Sequence, residues 1–446
     1  MPSAAGAVIA APSSGSGKTT ITLGLLRCFA RDGIAASSFK VGPDYIDPAF
    51  HAAASGRPCP NIDTWAMRPE TAAALYGRAA AGADIVIGEG VMGLFDGAQV
   101  PVGGHAGSTA DTAAALGLPV ILVVDAGAQA QSAAAVIHGF ATFRADVTVA
   151  AVIFNRVGSP RHADMLKAAA APLGIPVLGC VPRSPAIAVP DRHLGLVQAS
   201  EMAALDAFLD GAADLVAAHV DLAALRAILA GPAAPPVSTP VSPPASSPVP
   251  PLGQRIAVAA DDAFRFAYGH VIDGWRAAGA EILPFSPLAG DTPDDAVDAV
   301  YLPGGYPELH AGKLAANRAF LGGLRGAADR GAAVYGECGG FMVLGDALID
   351  ADGGVHAMAG LLPVKTSFAD RRLHLGYRNA TLAADTPLGA AGDTFGAHEF
   401  HYARLVEEGA ADTLFSVTDA AGSALGPMGF RSGNTMGSFI HLVDRR

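Results

Sequence analysis

The chain has 446 residues, of which 51% are hydrophobic and 16% are charged. This balance excludes an intrinsically disordered protein, which combines low hydrophobicity with high charge. The net charge of −12 argues against a nucleic-acid-binding protein that uses a broad basic face, although it leaves room for a local basic pocket. The length allows two or three domains of ordinary size.

Cysteine content and hydropathy indicate a cytoplasmic protein with reduced thiols and no membrane partner. The N-terminal residues lack the basic and apolar regions of a signal peptide. The longest uninterrupted apolar run, 118–124, is far shorter than the roughly 20 residues that cross a bilayer. A structural zinc site is not expected, because the four cysteines form no Cys-x-x-Cys pair. They are Cys28, Cys59, Cys180 and Cys338.

The first half of the chain alternates short apolar runs with alanine-rich helical stretches. Runs of valine and isoleucine without polar alternation are typical of strands buried on both faces of a parallel sheet. The predicted strands are 7–11, 83–88, 119–124, 147–154 and 177–181. They predict a doubly wound α/β domain.

The first predicted strand enters a glycine-rich loop, Pro-Ser-Ser-Gly-Ser-Gly-Lys-Thr-Thr, at residues 12–20, and a helical stretch follows. This strand–loop–helix order is the setting of a phosphate-binding loop, although Pro12 stands where the usual pattern begins with glycine. Lys18 is expected to reach the β- and γ-phosphates, and Thr19 to bind Mg²⁺. The predicted nucleotide-binding residues are Gly15, Gly17, Lys18, Thr19 and Thr20. The alternative is a glycine–serine turn with an incidental lysine.

Acidic residues at three places could complete the metal site, because ligands of doubly wound sheets gather at the carboxyl ends of strands. Glu89 ends one apolar run and Asp125 ends another, while Asp44 and Asp47 lie in the segment KVGPDYIDP. Each of them alone could equally be a solvated loop carboxylate. Glu89 is favoured because apolar residues precede it and glycines flank it. The predicted metal ligands are Thr19, Glu89 and Asp47.

Residues 232–251 contain nine prolines in twenty positions, with no charged and no aromatic residue. Proline removes backbone donors and favours polyproline II, so this stretch is not a core element. We interpret it as a linker between a domain at 1–231 and a second at 252–446; an ordered surface loop is the alternative. The second half has its own predicted strands at 255–260, 280–285, 299–302 and 332–336, which indicate a second doubly wound α/β domain.

The strand at 332–336 leads into Gly-Glu-Cys-Gly-Gly, the cysteine form of a nucleophile elbow. Cys338 is the predicted nucleophile, and the backbone N–H of Gly339 can donate to an oxyanion. A second donor can come from the loop Pro-Gly-Gly-Tyr-Pro-Glu, through Gly304 or Gly305. A buried structural cysteine is the alternative, but it would not explain the surrounding glycines.

A nucleophilic cysteine needs a base, and histidines are the candidates. His441 follows an apolar run late in the chain, as the histidine of elbow hydrolases does. Composition alone does not choose among His374, His398, His401 and His441.

Taken together, these motifs resemble those of a known family. The segments GECGG, PGGYPE and SFIHL resemble the glutaminase domain of the class I glutamine amidotransferases of cobalamin biosynthesis. The segments GSGKTT, FKVGPDYIDP, VIGEGVMGLFDG and RHLGL resemble the dethiobiotin-synthetase-like ATPase domain of the same enzymes. The resemblance covers nearly the whole chain except the proline-rich segment.

The resemblance implies an ATP- and Mg²⁺-dependent ligase. It would amidate the a and c acetates of a corrin polycarboxylate, hydrogenobyrinic or cobyrinic acid, through acyl phosphates. Cys338 would release ammonia from glutamine and His441 would be its base. Many class I glutaminases have a glutamate two residues after the histidine. Here Val443 occupies that position. This resembles the cobalamin group, whose site is described as a Cys–His pair without the glutamate. His398 or Glu308 could then assist His441.

The resemblance also implies which partners the chain has. They are three small molecules: a tetrapyrrole polycarboxylate, glutamine and ATP. The enzyme would act in the cytoplasm, without a nucleic-acid or membrane partner. A homodimer is compatible with the resemblance. The candidate substrate contacts are Lys40, Asp44, Tyr45, Arg192 and His193.

Three other interpretations compete. A related enzyme could amidate another tetrapyrrole, as cobyric acid synthase does or as the enzyme acting on nickel-sirohydrochlorin does. A P-loop switch of the partition-ATPase kind could bind a partner protein, but it would not need the cysteine elbow. A non-catalytic scaffold is disfavoured because Lys18, Thr19 and Cys338 are all present.

Overall fold

The computed structural model describes residues 5–100, 104–184, 202, 204–231 and 247–446. Two compact units account for them. The first unit comprises Met1–Trp65, Ala72–Gly97 and Gly103–Pro243, and the second comprises Ala66–Thr71, Ala98–Val102 and Pro244–Arg446. Among the described residues, no helix has both the length and the apolar character needed to span a membrane.

The first unit is built on seven parallel strands in the order β3-β2-β4-β1-β5-β6-β7. The strands are β1 (Ala5–Ala10), β2 (Ala36–Val41), β3 (Asn61–Ile62), β4 (Ile85–Glu89), β5 (Val120–Asp125), β6 (Val149–Val157) and β7 (Val177–Pro182). The helices are α1 (Lys18–Arg31), α2 (Asp47–Ser55), α3 (Pro69–Ala80), α4 (Thr109–Leu116), α5 (Ser132–Thr142), α6 (Pro160–Ala170), α7 (Leu205–His219) and α8 (Leu222–Leu229).

The prediction of a doubly wound parallel sheet in the first half is confirmed. The five predicted strands are β1, β4, β5, β6 and β7, with ends shifted by a few residues. Strand β2, of sequence ASSFKV, was not predicted because polar residues interrupt its apolar pattern, yet all six residues are buried. Strand β1 lies between β4 and β5, so the strand order reverses there, and the carboxyl end of β1 is the place where such sheets bind ligands.

The second unit contains a ten-stranded sheet in the order β21-β16-β15-β18-β19-β20-β11-β10-β8-β9 and a four-stranded sheet in the order β13-β12-β14-β17. The strands are β8 (Arg255–Ala259), β9 (Glu281–Phe285), β10 (Ala299–Leu302), β11 (Ala333–Glu337), β12 (Ala347–Ile349), β13 (Val355–Ala357), β14 (Val364–Ser367), β15 (His374–Leu382), β16 (Thr394–His401), β17 (Arg404–Glu408), β18 (Asp412–Asp419), β19 (Ala424–Ser432), β20 (Thr435–Ser438) and β21 (Ile440–Arg445). The helices are α9 (Gly269–Ala277), α10 (Ala311–Ala316), α11 (Arg318–Asp329) and α12 (Gly339–Leu344).

The larger sheet has a parallel part and an antiparallel part. Strands β9, β8, β10, β11 and β20 run parallel, and the four predicted strands of this half are among them. The remaining five strands pair antiparallel and were not predicted. The α/β class predicted for this half is therefore confirmed, and the structure adds an antiparallel extension to it.

A short piece of the N-terminal half, Ala66–Thr71, belongs to the second unit. Its Arg68 donates to the fully buried carboxylate of Asp444 on β21, through the backbone N–H at 2.9 Å and through Nη2 at 2.8 Å. The backbone also packs closely, because a Cβ added to Gly396 would lie 2.2 Å from the carbonyl oxygen of Ala66. This segment therefore packs against β16 and β21 of the second unit.

Arg68→Ala is expected to destabilise the second unit by about 3–5 kcal/mol, because it leaves the Asp444 carboxylate buried without its guanidinium partner. Urea unfolding measures the loss. A second change, Asp444→Asn, should recover part of it by removing the buried charge. The control is Arg276→Ala, which removes an exposed ion pair with Asp273 worth at most about 1 kcal/mol. Equal losses in Arg68→Ala and Arg276→Ala would contradict this account.

Candidate active sites

The loop after β1 has the geometry of a phosphate-binding loop. Gly15 and Gly17 have φ of 76° and 89°, which favour glycine, and helix α1 begins directly after Gly17. A Cβ on Gly17 would lie 2.1 Å from Asn155 Nδ2, which itself donates to the Ser16 carbonyl at 2.9 Å. The first N–H groups of a helix have no partner within the helix, so the start of α1 suits the binding of an anion. Thr20 follows in the first turn of α1.

Lys18 and Thr19 point from the start of α1 to the neighbouring strand ends. Nζ of Lys18 donates to the Met92 carbonyl at 2.6 Å and to the Ser13 carbonyl at 3.3 Å. Oγ1 of Thr19 donates to Oε1 of Glu89 at 2.6 Å. Burial lowers the pKa of Lys18, although the Glu89 carboxylate opposes this shift. The structure thus brings together Lys18, Thr19 and Glu89, as the sequence predicts.

Lys40 lies at the centre of a buried cluster of carboxylates. Its Nζ is 2.5 Å from Asp47, 2.9 Å from Glu89 and 3.7 Å from Asp44. Burial lowers its pKa, but these three carboxylates outweigh it and hold the pKa of Lys40 well above its ordinary value. The same lysine keeps the pKa of Glu89 below its usual range despite burial. Lys40 was predicted as a substrate contact, and in the structure it pairs with carboxylates of the chain itself.

The residues predicted to bind a metal fit Mg²⁺ by their chemistry. Thr19, Asp47 and Glu89 offer hydroxyl and carboxylate oxygens, which are the ligands that Mg²⁺ prefers. The Lys40 ammonium already pairs with the three carboxylates, so part of their negative charge is neutralised within the chain. Asp44 also orders the turn before α2 by accepting from the backbone N–H groups of Ile46 and Asp47.

Asp125 has different partners from the carboxylates around Lys40. Its carboxylate pairs with Arg156 at 2.5 Å and accepts from the Gly127 N–H at 2.9 Å. Tyr45 is partly buried beside Asp44 in the turn between β2 and α2. The other two candidate substrate contacts, Arg192 and His193, lie outside the described residues, as does most of the predicted linker.

Sequence reasoning overlooked His51, whose Nε2 lies 2.6 Å from Oε2 of Glu89 with both side chains fully buried. The signal was present but weak. His51 follows Asp47 by four residues, and this spacing places both on one face of a helix. Because its ring lies within hydrogen-bond distance of Glu89, His51 orients this predicted metal ligand.

In the second unit, Cys338 forms the sharp turn between β11 and α12. Its φ of 48° with ψ of −106° is a strained conformation for a residue with a side chain, as expected of a nucleophile elbow. Its N–H donates to the Ser438 carbonyl at 2.8 Å, which holds the elbow against β20. The thiol is largely buried.

The predicted oxyanion loop packs directly against this elbow. A Cβ on Gly304 would lie 2.5 Å from Cε1 of His441 and 3.3 Å from Cβ of Cys338. A Cβ on Gly339 would lie 3.0 Å from the backbone nitrogen of Gly305. Glycine is needed at these positions because the backbone approaches the cysteine and the histidine so closely. Gly304, Gly305 and Gly339 are thus brought together around Cys338.

His441 is the histidine that the structure places beside Cys338. It forms a side-chain hydrogen bond with Cys338 and is almost completely buried. Burial lowers its pKa, but the charges of Cys338 and Glu337 outweigh this effect and raise the pKa of His441 to about 9. The imidazolium form of His441 is therefore favoured at neutral pH.

The other candidate histidines occupy different surroundings. His398 stacks on His441 with ring centroids 4.8 Å apart and bonds Tyr268 Oη at 2.7 Å; burial keeps its pKa well below the ordinary value. His374 and His401 stack on each other and line a cavity of about 450 Å³, in which His401 bonds Glu399 at 2.8 Å. His441 is thus the candidate in contact with the elbow.

Sequence reasoning also overlooked Glu337. Its Oε2 lies 3.6 Å from Nδ1 of His441. The pattern of class I glutaminases points to an acid after the histidine, whereas Glu337 directly precedes the nucleophile in sequence.

Comparisons with known proteins match both halves of the chain. Residues 255–445 match the family model described as CobB/CobQ-like glutamine amidotransferase domain, and residues 7–197 match the one described as CobQ/CobB/MinD/ParA nucleotide binding domain. The first match disfavours a P-loop switch, which would not carry an amidotransferase domain.

Full-length relatives are also found. The chain is 55% identical over 444 residues to a protein named hydrogenobyrinate a,c-diamide synthase from Brucella abortus, with 98% of both chains covered. Proteins of the same name from a Sinorhizobium species and from Agrobacterium fabrum are 53% and 49% identical, again with 98% of both chains covered. The resemblance to amidotransferases of cobalamin biosynthesis is confirmed.

Proposed function

The chain belongs to the family of the hydrogenobyrinate a,c-diamide synthases, and from this premise we propose that it amidates the a and c acetate carboxylates of hydrogenobyrinic acid with ATP and glutamine. The observation that carries the proposal is the presence of both half-sites in one chain. The Lys18–Thr19–Glu89 group suits a phosphoryl-transfer site, and the Cys338–His441 pair suits a glutaminase.

In the glutaminase half-reaction, the thiolate of Cys338 attacks the carboxamide carbon of glutamine. Backbone N–H groups of the elbow and of the Gly304–Gly305 loop stabilise the oxyanion. The imidazolium of His441 gives its proton to the leaving nitrogen, so ammonia departs and a thioester remains. Neutral His441 then takes a proton from water, which attacks the thioester; glutamate is released, and the Cys338 thiolate and the His441 imidazolium are restored.

In the synthetase half-reaction, an acetate carboxylate attacks the γ-phosphorus of ATP and displaces ADP. A carboxylate resists an amine, whereas the resulting acyl phosphate has a good leaving group. Ammonia then attacks the carbonyl carbon, phosphate leaves, and the amide forms. Lys18 and the N–H groups of the loop bind the phosphates and orient the γ-phosphate.

Mg²⁺, held by Thr19, Asp47 and Glu89, would neutralise phosphate charge in this site. The contribution of the chain itself is to keep these oxygens in place. His51 and Lys40 do so by holding both oxygens of Glu89. Because ATP and glutamine are the co-substrates, we place the enzyme in the cytoplasm.

We propose the metal-free corrin rather than cobyrinic acid as the substrate, because the full-length relatives carry the hydrogenobyrinate name. Cobyrinic acid and nickel-sirohydrochlorin are the alternatives to test beside it.

The test is mass spectrometry of each candidate tetrapyrrole after incubation with the protein, ATP, Mg²⁺ and glutamine labelled with ¹⁵N in its amide. We expect hydrogenobyrinic acid to gain two labelled amides in succession. Reaction of cobyrinic acid alone would assign the cobalt corrin instead. Glutamine hydrolysis without amidation of any of the three would contradict the proposal.

A further inference from the structure

A carboxylate is expected near His441, yet Val443 occupies the position after the histidine where many class I glutaminases have glutamate. The structure supplies a carboxylate from the other side of the nucleophile. Oε2 of Glu337 lies 3.6 Å from Nδ1 of His441, and both side chains are at most 5% exposed. At this distance in a buried site, a carboxylate acts strongly on an imidazolium through its charge.

The Glu337 carboxylate is itself held in place from several directions. Oε2 accepts from the Tyr301 hydroxyl at 2.9 Å, and Oε1 accepts from the Tyr335 hydroxyl at 2.9 Å and from the Leu442 N–H at 3.2 Å. Burial and the Glu337 charge raise the pKa of both tyrosines well above the ordinary value, so both stay protonated donors. Three donors therefore fix the Glu337 carboxylate beside the imidazole of His441.

Strand register explains how the two residues meet. Strands β11 and β20 run parallel with Glu337 opposite Ser438, and the chain resumes as β21 two residues later. His441 thus follows the partner of Glu337 by three residues, and the next residue, Leu442, donates its N–H to Oε1 of Glu337 at 3.2 Å. Glu337 and Cys338 are consecutive, and both interact with His441, Glu337 at 3.6 Å from Nδ1.

We propose that Glu337 is the positioning residue of His441, which completes a Cys338–His441–Glu337 triad in which the acid directly precedes the nucleophile. The proposal deepens the proposed function and rests on its glutaminase half-reaction. Glu337 holds the proton on Nδ1, leaves Nε2 to exchange a proton with Cys338, and stabilises the imidazolium. Such contacts are often long without substrate and shorten when it binds.

Other groups around His441 could also affect its titration. Cys338 approaches from the elbow, His398 stacks on the ring from β16, and Tyr268 bonds His398 in turn. His398, when neutral, adds no charge, and its positive form would lower the pKa of His441. Cys338 contributes most to the raised pKa of His441 and Glu337 adds to it, so Glu337 is the carboxylate among these groups that favours the imidazolium.

The decisive variant is Glu337→Gln, which keeps the shape of the side chain and removes its charge. We expect kcat for glutamine hydrolysis to fall by about 100-fold or more, with KM for glutamine changed by less than about threefold. The alkaline limb of the kcat/KM profile, where the imidazolium loses its proton, should move to lower pH. Ammonia-dependent amidation should stay at the wild-type rate.

The matched control is Asp444→Asn, which also turns a buried carboxylate of the second unit into an amide. It should lower the melting temperature but leave the alkaline limb where it is. If Glu337→Gln does not fold, Tyr301→Phe replaces it. Loss of the hydroxyl leaves more charge on Oε2, so the limb should move to higher pH.

Two outcomes separate the proposals. Absence of glutamine hydrolysis in the wild-type protein would overturn the proposed function. A wild-type protein that hydrolyses glutamine, together with an alkaline limb unmoved in Glu337→Gln and in Tyr301→Phe, would overturn the role of Glu337 alone.

Discussion

Cys338→Ala is expected to abolish glutamine-dependent amidation and to leave ammonia-dependent amidation at the wild-type rate. Without the thiolate no thioester forms, and the loss of a covalent nucleophile costs at least about 1,000-fold in rate. Supplied ammonia bypasses this step, because the acyl phosphate forms in the other half-site. The measurement is amide formation with glutamine and with ammonium chloride at alkaline pH, where free ammonia is abundant.

Cys180→Ala is the control for this experiment, since Cys180 is a partly buried thiol on β7, outside both half-sites. It should keep both activities. Loss of ammonia-dependent amidation in Cys338→Ala, with Cys180→Ala unaffected, would show that the two half-reactions do not occupy separate sites.

Lys18→Ala should remove amidation with either nitrogen donor. Lys18 is the one lysine in the loop sequence 12–20, and it lies at the start of α1. Loss of its charge at the β- and γ-phosphates should reduce kcat for amidation by about 100-fold or more. Glutamine hydrolysis in the absence of a tetrapyrrole should persist, because Cys338 and His441 are unchanged.

The control is Lys167→Ala, which removes an exposed lysine from α6 of the same unit. Its amidation rate should match the wild type with both donors. A wild-type rate in Lys18→Ala would refute the assignment of the phosphate loop.

The features that the sequence predicts best are motifs and strands formed by consecutive residues. The glycines of the phosphate loop and of the cysteine elbow set the local backbone, and the loop needs no distant contact to be recognised. The buried parallel strands were equally visible, because runs such as VILVVD in β5 have no polar alternation. These patterns depend on local geometry and burial alone.

The roles of Glu337 and His51 could not be predicted from the sequence, because they depend on strand register and on side-chain direction. Glu337 meets His441 only because β11 and β20 are paired with Glu337 opposite Ser438. His51 meets Glu89 only because α2 packs near the end of β4. Lys40 shows the same limit: its positive charge suggested an anionic substrate, whereas the fold surrounds it with Asp44, Asp47 and Glu89.

The segment Ala66–Thr71 bears on how this chain can be divided and recombined. A cut in the proline-rich stretch would yield a C-terminal fragment that lacks Arg68, so Asp444 would lose its partner three residues after the predicted base His441. A chimaera that exchanges the C-terminal halves of two relatives therefore has to carry residues 66–71 from the same parent as β21. The genetic boundary between the two activities is not a single point in the sequence.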